Sequence, residues 1–356
     1  MSSRISCIRG RLNELEVDAV LLTSLPKIRW ACGFTGSNGL LIIGPDSASF
    51  VTDGRYTDQA RAEVERADVH IAENGLSACV GEAGLLAAFS RVAFQADHVS
   101  VARRDALEDD HETVDWIPES GMLTRLVGSK SQHEVSQIRA AQSITEEVFR
   151  ELIELIEPGM TERQLGAEIV YRHLRKGAES MAFDPIVASG PNGARPHARP
   201  TDRALQEGDM VVIDMGCFRN GYASDMTRTV ALGDPGDAAR KGYNAVLEAQ
   251  WAALTAARAG MTGAELDAVA REALREAGLA EYFTHGLGHG LGLEVHEWPR
   301  VSRTSEDDLP VGACVTIEPG VYCPEKEYGV RIEDIVVLHE GDSENLTQSP
   351  KELITL

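Results

Sequence analysis

Glu207-Gly-Asp-Met-Val-Val-Ile-Asp214-Met-Gly-Cys-Phe-Arg-Asn220-Gly221-Tyr-Ala-Ser-Asp225-Met-Thr227 runs from a short apolar segment into an acid, through Asn-Gly, and on to a second acid. Asn-Gly between apolar runs is the strongest signal for a two-residue hairpin. With the turn at Asn220 and Gly221, Asp214 faces Thr227. Asp225 is then a diagonal neighbour of Asp214 on the same sheet face, about 7 Å away between backbones. A carboxylate ending an apolar strand is expensive to bury unless it is paired or holds a metal. Two on one face repel unless a cation sits between them. The bland alternative is that both lie solvated on an exposed face.

Three further stretches supply groups of the same chemistry. Thr284-His285-Gly-Leu-Gly-His289-Gly-Leu-Gly-Leu-Glu-Val-His296-Glu-Trp-Pro packs three histidines into twelve residues among four glycines. Glycine lets backbone approach a ligand closely, and imidazole is both a metal ligand and a near-neutral acid or base. Cys314-Val-Thr-Ile-Glu318-Pro-Gly and Tyr328-Gly-Val-Arg331-Ile-Glu333-Asp-Ile-Val-Val each hold a Glu in an apolar run. Strand alternation puts Arg331 and Glu333 on one face, where the competing reading is a surface salt bridge. Together these give four carboxylates and at least one imidazole. Oxygen-rich ligation with one imidazole suits Mn²⁺ first, with Co²⁺ or Zn²⁺ also fitting. So many acids could neutralise two ions, and a pair about 3.5–4 Å apart can share a bridging hydroxide, the nucleophile of metal-assisted hydrolysis.

The chain has 356 residues, a length that favours two domains. Its 34 Lys and Arg against 56 Asp and Glu leave a net charge of −22, which disfavours nucleic acid and anionic membranes as partners. No apolar run reaches the roughly 18 residues of a membrane span. The N-terminus has no continuous apolar core of a signal peptide. Six scattered cysteines without a C-x-x-C pair read as buried thiols. A cytoplasmic protein is therefore expected.

The first part alternates strand-like runs (18–23, 39–44, 48–52) with helical stretches (2–15, 56–67), the texture of an α/β domain. A capping box at Ser131-Gln-His-Glu134 then opens a long amphipathic helix. The expected domains are 1–127 and 128–356. Within the second, Pro158-Gly-Met-Thr-Glu-Arg-Gln-Leu-Gly-Ala recurs 101 positions later as Ala259-Gly-Met-Thr-Gly-Ala-Glu-Leu-Asp-Ala. Either two helices share start chemistry, or a unit of helices and antiparallel strands is duplicated about a pseudo-twofold axis with a cleft between its halves.

Ile213-Asp-Met-Gly, Tyr222-Ala-Ser-Asp-Met-Thr-Arg-Thr, His285-Gly-Leu-Gly-His-Gly-Leu-Gly-Leu, Ile317-Glu-Pro-Gly-Val-Tyr and Val330-Arg-Ile-Glu-Asp, in this order, resemble the creatinase/aminopeptidase or "pita-bread" metallopeptidase family. Within it they are most similar to the Xaa-Pro peptidases, prolidase and aminopeptidase P. Gly33-Phe-Thr-Gly-Ser-Asn-Gly and Thr52-Asp-Gly-Arg-Tyr resemble that family's creatinase-type N-terminal domain. The resemblance implies an α+β chain: a creatinase-type α/β domain, then a pita-bread catalytic domain with a pseudo-twofold repeat. It implies that Asp214, Asp225, His289, Glu318 and Glu333 hold two divalent ions, with Asp225 and Glu333 bridging. Because all five are present, creatinase itself, which works without metal, is disfavoured. Glu318 becomes the proton shuttle, and His296 the stabiliser of the tetrahedral intermediate or substrate carbonyl. His197, in Ala188-Ser-Gly-Pro-Asn-Gly-Ala-Arg-Pro-His-Ala-Arg-Pro, joins the catalytic set and, with His285, lines a proline-ring pocket. Arg331 orients ligands and contacts substrate.

The implied substrates are proline-containing di- or oligopeptides, and the implied assembly is a homodimer. Methionine aminopeptidase shares the five ligands but not the long N-terminal part or the Ala-Arg-Pro-His-Ala-Arg-Pro segment. A non-catalytic binding protein of the same fold would lack ligands. A dipeptidase also needs a cation for the free carboxylate after proline; Arg55, Arg195 and Arg199 are candidates, Arg55 being the hypothesis preferred on sequence, against an arginine merely stacked on Tyr56.

Overall fold

The computed structural model describes residues 3–356, which form two compact units, 3–126 and 127–356. In the first, a six-stranded sheet runs in the order Asp68–Ala72, Ala48–Asp53, Leu40–Ile43, Ala19–Leu22, Arg91–Gln95, Asp115–Glu119. The strand Ala19–Leu22 is wholly buried, antiparallel to Leu40–Ile43 and parallel to Arg91–Gln95. Unbroken apolar runs are what strands covered on both faces require. The helix expected over 2–15 is shorter, Arg4–Arg9, and Ser2 lies outside the described residues. Ser3 caps its start, Gly10 closes it on Ser6, and Glu16 at φ 53 then turns the chain into the sheet.

The second unit opens on the helix Gln132–Ile153, started by the Ser131–Glu134 capping box. Its buried residues Val135, Ile138, Ala141, Ile144, Val148, Phe149 and Leu152 fall at three- and four-residue spacing and form one apolar face. Loss of the cap by Ser131→Ala removes about 1 kcal/mol, whereas Phe149→Ala removes about 3–5 kcal/mol by leaving a cavity.

The duplicated sequence is a duplicated structure. Helices Glu162–Arg175 and Gly263–Glu276 each begin with a complete capping box, at Thr161/Gln164 and Thr262/Glu265. Gly159 N–H donates to the Leu205 carbonyl as Gly260 N–H does to Leu309, and Glu162 N–H to Arg203 as Gly263 N–H does to Asp307. The first half adds the antiparallel sheet Ile186–Ser189, Met210–Met215, Met226–Ala231. The second adds the sheet Glu297–Val301, Gly288–Gly290, Cys314–Ile317, Asp334–Val337, Glu344–Asn345. One apolar cluster lies beneath the helices of the first half, and the other, beneath those of the second, also takes in Met210 and Ala231 from the first half's strands. The chain is thus α+β, an α/β unit followed by a unit with an internal repeat, the architecture that the sequence resemblance implies.

The hairpin has the expected register. Asn220 and Gly221 both take positive φ, Arg219 faces Tyr222, and Thr227 faces Asp214. One expectation fails: Tyr328–Val337 is two strands, not one. Tyr328–Arg331 pairs with Gly320–Cys323, while Asp334–Val337 pairs with Cys314–Ile317. Between them the Glu333 N–H turns to the Thr227 carbonyl, and Arg228 donates to the Glu333 carbonyl at 2.7 Å. The ladder is broken because the first half supplies these better-placed partners. Five of the six cysteines are buried free thiols, and Cys7 is half-buried. Among the described residues no helix is long and apolar enough to cross a membrane.

Candidate metal centre and its cleft

Asp214, at the end of the fully buried strand Met210–Met215, enters a cleft of about 460 Å³. Arg331 donates to its Oδ2 at 2.5 Å, while Oδ1 is buried with no hydrogen-bond partner among the described residues. Asp225, just before the strand Met226–Ala231, is 4% exposed, and Glu333, in the break between two strands, is 2% exposed. Glu333 accepts a hydrogen bond from Thr227 Oγ1 at 2.7 Å. Glu318 lies one residue past the strand Cys314–Ile317 and accepts from Thr316 Oγ1 at 3.2 Å.

His289 completes the group. Its Nδ1 lies 3.1 Å from the Gly290 carbonyl, which can only accept, so this nitrogen carries the hydrogen. The Nε2 lone pair is then aimed at carboxylates, 3.4 Å from Glu318 Oε1 and 3.7 Å from Asp225 Oδ2. Burial and the neighbouring His296 hold the His289 pKa down at about 4, so the imidazole is neutral near pH 7. A lone pair facing ionised carboxylates at this distance is repulsive, and either a proton on the acids or a metal cation between the groups relieves it.

The acids report the same strain. Burial, then repulsion from Asp214 and Glu318, raises the Asp225 pKa well above the carboxylate range. Burial, then Asp225, Glu318 and Asp214, does the same to Glu333. Glu318 is pushed up to about 7, chiefly by burial, with Arg331 opposing. Ligand atoms of Asp225, His289 and Glu333 all lie within 4.8 Å of one another. An orphaned buried oxygen, clustered acids and a neutral imidazole with its lone pair turned inward fit divalent cations.

The structure also locates the remaining expected residues. His296 is exposed, with its ring edge-on to that of His289 at 4.4 Å between centroids. His197, exposed, and His285, half-buried, line the same cleft. Arg331, 4% exposed, donates to the Pro196 carbonyl at 3.1 Å and Tyr322 Oη at 2.8 Å besides Asp214. Arg199 is on the cleft wall and makes no ion pair or hydrogen bond among the described residues, whereas Arg195 is exposed outside the lining set. Arg55 belongs to the other unit, where it grips Asp53 through Nε at 2.8 Å and Nη2 at 2.9 Å and lies 5.3 Å from the Tyr56 ring centre.

Tyr322 was legible only as part of a motif, without a role. Its hydroxyl accepts from Arg331 and lies 2.9 Å from His285 Nε2, linking the acid cluster to the histidine wall. The glycines around His289 have another cause than ligand approach. A Cβ on Gly288 would stand 2.0 Å from the Thr316 carbonyl oxygen, and one on Gly290 2.3 Å from that of Trp298. Neighbouring backbone occupies the space, and the strand bearing His289 fits only without side chains on either side.

Two family descriptions match the chain: "Creatinase/Prolidase N-terminal domain" over residues 4–126 and "Metallopeptidase family M24" over 136–340. The chain is 38% identical to "Uncharacterized peptidase YqhT" of Bacillus subtilis, over 99% of this chain and 100% of that one. It superposes on a structure described as Xaa-Pro dipeptidase from Bacillus anthracis with a TM-score of 0.95, at 35% identity and 99% coverage of both chains. An X-Pro aminopeptidase from Thermotoga maritima superposes with a TM-score of 0.90 at 35% identity, over 98% of this chain and 99% of that one. With the acid and imidazole cluster described above and this extent of likeness, the chain belongs to metallopeptidase family M24 and is a metal-dependent exopeptidase.

Proposed function

We propose that the protein is an Xaa-Pro peptidase, hydrolysing the bond between an N-terminal residue and a following proline. The observation that carries this reading is the convergence of Asp225, His289 and Glu333 on one point of a cleft walled by His197, His285 and His296. Relatives named Xaa-Pro dipeptidase and X-Pro aminopeptidase support it. Asp214, Asp225, His289, Glu318 and Glu333 would hold two divalent ions, Mn²⁺ by preference. Such ions supply a water of lowered pKa and a Lewis acid for the scissile carbonyl.

The chain's own residues perform the rest. Glu318, beside His289 and within 4.0 Å of Arg331, takes the proton of the attacking water and returns it to the leaving nitrogen. His296, exposed beside His289, donates to the carbonyl oxygen as charge develops on it. His197 and His285 flank the proline ring, and Arg331 keeps Asp214 and the Pro196 carbonyl in place.

Dipeptides are the favoured substrates in this reading, because Arg199 offers an unpaired cation on the cleft wall for a free carboxylate next to proline. The test is Mn²⁺-reconstituted protein given Ala-Pro, Ala-Pro-Gly and Met-Ala-Ser. Release of alanine from Ala-Pro, faster than from Ala-Pro-Gly, is expected. The reverse order makes it an aminopeptidase P, and cleavage of Met-Ala-Ser alone a methionine aminopeptidase. Inertness toward both proline peptides overturns the reading.

A further inference from the structure

The two histidines of the proposed proline wall stand on irregular segments, and each segment is tied to a fully buried acid on one of the paired helices. On the first helix, Glu162 is 0% exposed, and its two carboxylate oxygens are divided between the two ends of the segment 189–201. Oε1 accepts from Ser189 N–H at 2.8 Å and Ser189 Oγ at 2.7 Å. Oε2 accepts from Thr201 N–H at 3.0 Å and Thr201 Oγ1 at 2.6 Å. Asn192 Nδ2 reaches both oxygens, at 3.2 and 3.1 Å. The segment so closed carries Pro196, whose carbonyl Arg331 holds, and His197. Burial works against the charge, yet the Thr201 and Ser189 donors bring the Glu162 pKa below its ordinary value.

On the second helix, Asp267 is also 0% exposed. It accepts from Leu287 N–H at 3.0 Å and pairs with Arg271 Nε at 2.5 Å. Arg271 in turn donates to the Phe283 carbonyl at 2.9 Å and to the His285 carbonyl, with its guanidinium 4.1 Å from the Phe283 ring centre. Three backbone groups flanking His285 are thereby fixed by one buried ion pair.

We propose that Glu162 and the Asp267–Arg271 pair are positioning residues for substrate, which set the separation of His197 and His285 across the cleft. The proposal rests on the reading of the site as an Xaa-Pro pocket. None of Glu162, Asp267 and Arg271 bonds to Asp214, Asp225, His289, Glu318 or Glu333. The links are indirect, through Arg331, which holds both the Pro196 carbonyl and Asp214, and through the Leu287 carbonyl, which accepts from Glu318 N–H. Mn²⁺ affinity is therefore the readout that separates a moved wall from a disturbed cation site. A satisfied buried carboxylate serving only stability would lower the melting temperature and the active fraction, leaving KM alone.

The test uses full-length Mn²⁺-loaded protein carrying Glu162→Gln or Arg271→Met, assayed on Ala-Pro. The milder Thr201→Val and Arg271→Lys are made alongside, for the case that the first pair fails to fold. A rise in KM of about tenfold is expected, the scale of a lost charged hydrogen bond, with kcat within about threefold of the parent. Mn²⁺ affinity by titration calorimetry stays at the parent value. Hydrogen exchange quickens in 189–201 for the Glu162 and Thr201 variants, and in 283–287 for the Arg271 variants. An active parent whose variants keep its KM, or lose Mn²⁺ affinity with it, overturns this proposal alone. So does exchange that quickens uniformly over the unit. A parent inert toward Ala-Pro removes the pocket reading and this proposal together.

Discussion

Asp214 gives one carboxylate oxygen to the Arg331 guanidinium at 2.5 Å and keeps the other buried without a partner among the described residues. A guanidinium that also serves Thr227 Oγ1, Tyr322 Oη and the Pro196 carbonyl acts as a frame for these groups, besides neutralising charge. Arg331→Lys preserves the charge but offers one compact ammonium to four partners. We expect kcat/KM on Ala-Pro to fall about 10- to 100-fold, the scale for groups that orient metal ligands. Activity within twofold of the parent would show that charge alone matters there.

The acid cluster makes the metal-free protein sensitive to pH. Asp225, Glu333 and Glu318, the last at about 7, have folded-state pKa values above their ordinary ones. Folding is therefore favoured by these groups below about pH 4.5, where both states bind the proton, and that contribution is lost as pH rises through 7. With chelator present, the melting temperature should drop between pH 5 and pH 8. Saturating Mn²⁺ should oppose the drop, and its stabilisation should grow with pH, because ligands bind deprotonated. A flat profile in chelator contradicts the electrostatic account.

Asp225→Asn separates stability from activity. The substitution keeps the shape and removes a buried charge that Asp214 and Glu318 repel. At pH 8 in chelator the variant should melt higher than the parent, by about 2–4 °C for each kcal/mol of repulsion relieved. Its Mn²⁺ affinity and its turnover of Ala-Pro should both collapse. A variant that melts lower in chelator would mean that the acids are better accommodated than their burial implies.

Two arginines can be compared for the carboxylate of a dipeptide. Arg199→Ala should raise KM for Ala-Pro about tenfold and leave Ala-Pro-Gly nearly unchanged, since a charged hydrogen bond is lost only with the shorter substrate. Arg55 is already held by Asp53, so Arg55→Ala should affect the two substrates alike. A selective loss of Ala-Pro in Arg55→Ala would reverse the assignment in favour of Arg55.

Local chemistry made much of the fold legible. Asn220 and Gly221 need positive φ, which few residue pairs tolerate, so the hairpin and its Asp214–Thr227 register could be read from two letters. The capping boxes at Ser131, Thr161 and Thr262 likewise depend only on residues three apart. Features decided by distant partners were not visible. The break at Glu333 exists because Thr227 and Arg228, about a hundred residues earlier, capture its backbone. Glu162 looked like any acid in a helix's first turn, where solvent is the usual neighbour. Its burial is set by Ser189 and Thr201, and nothing in the helix sequence announces them. Tyr322 was hidden for the same reason, its partners His285 and Arg331 being met only after two strands fold together.

The division of the acid cluster between the repeated halves bears on how the molecule is made. Asp214 and Asp225 come from the earlier half, and His289, Glu318 and Glu333 from the later one. A nascent chain that has emerged only as far as the first hairpin displays two acids without their imidazole partner. Such an incomplete product lacks three of the five groups that the proposed centre needs, so under that proposal hydrolysis of a proline peptide becomes possible only once synthesis has passed Glu333.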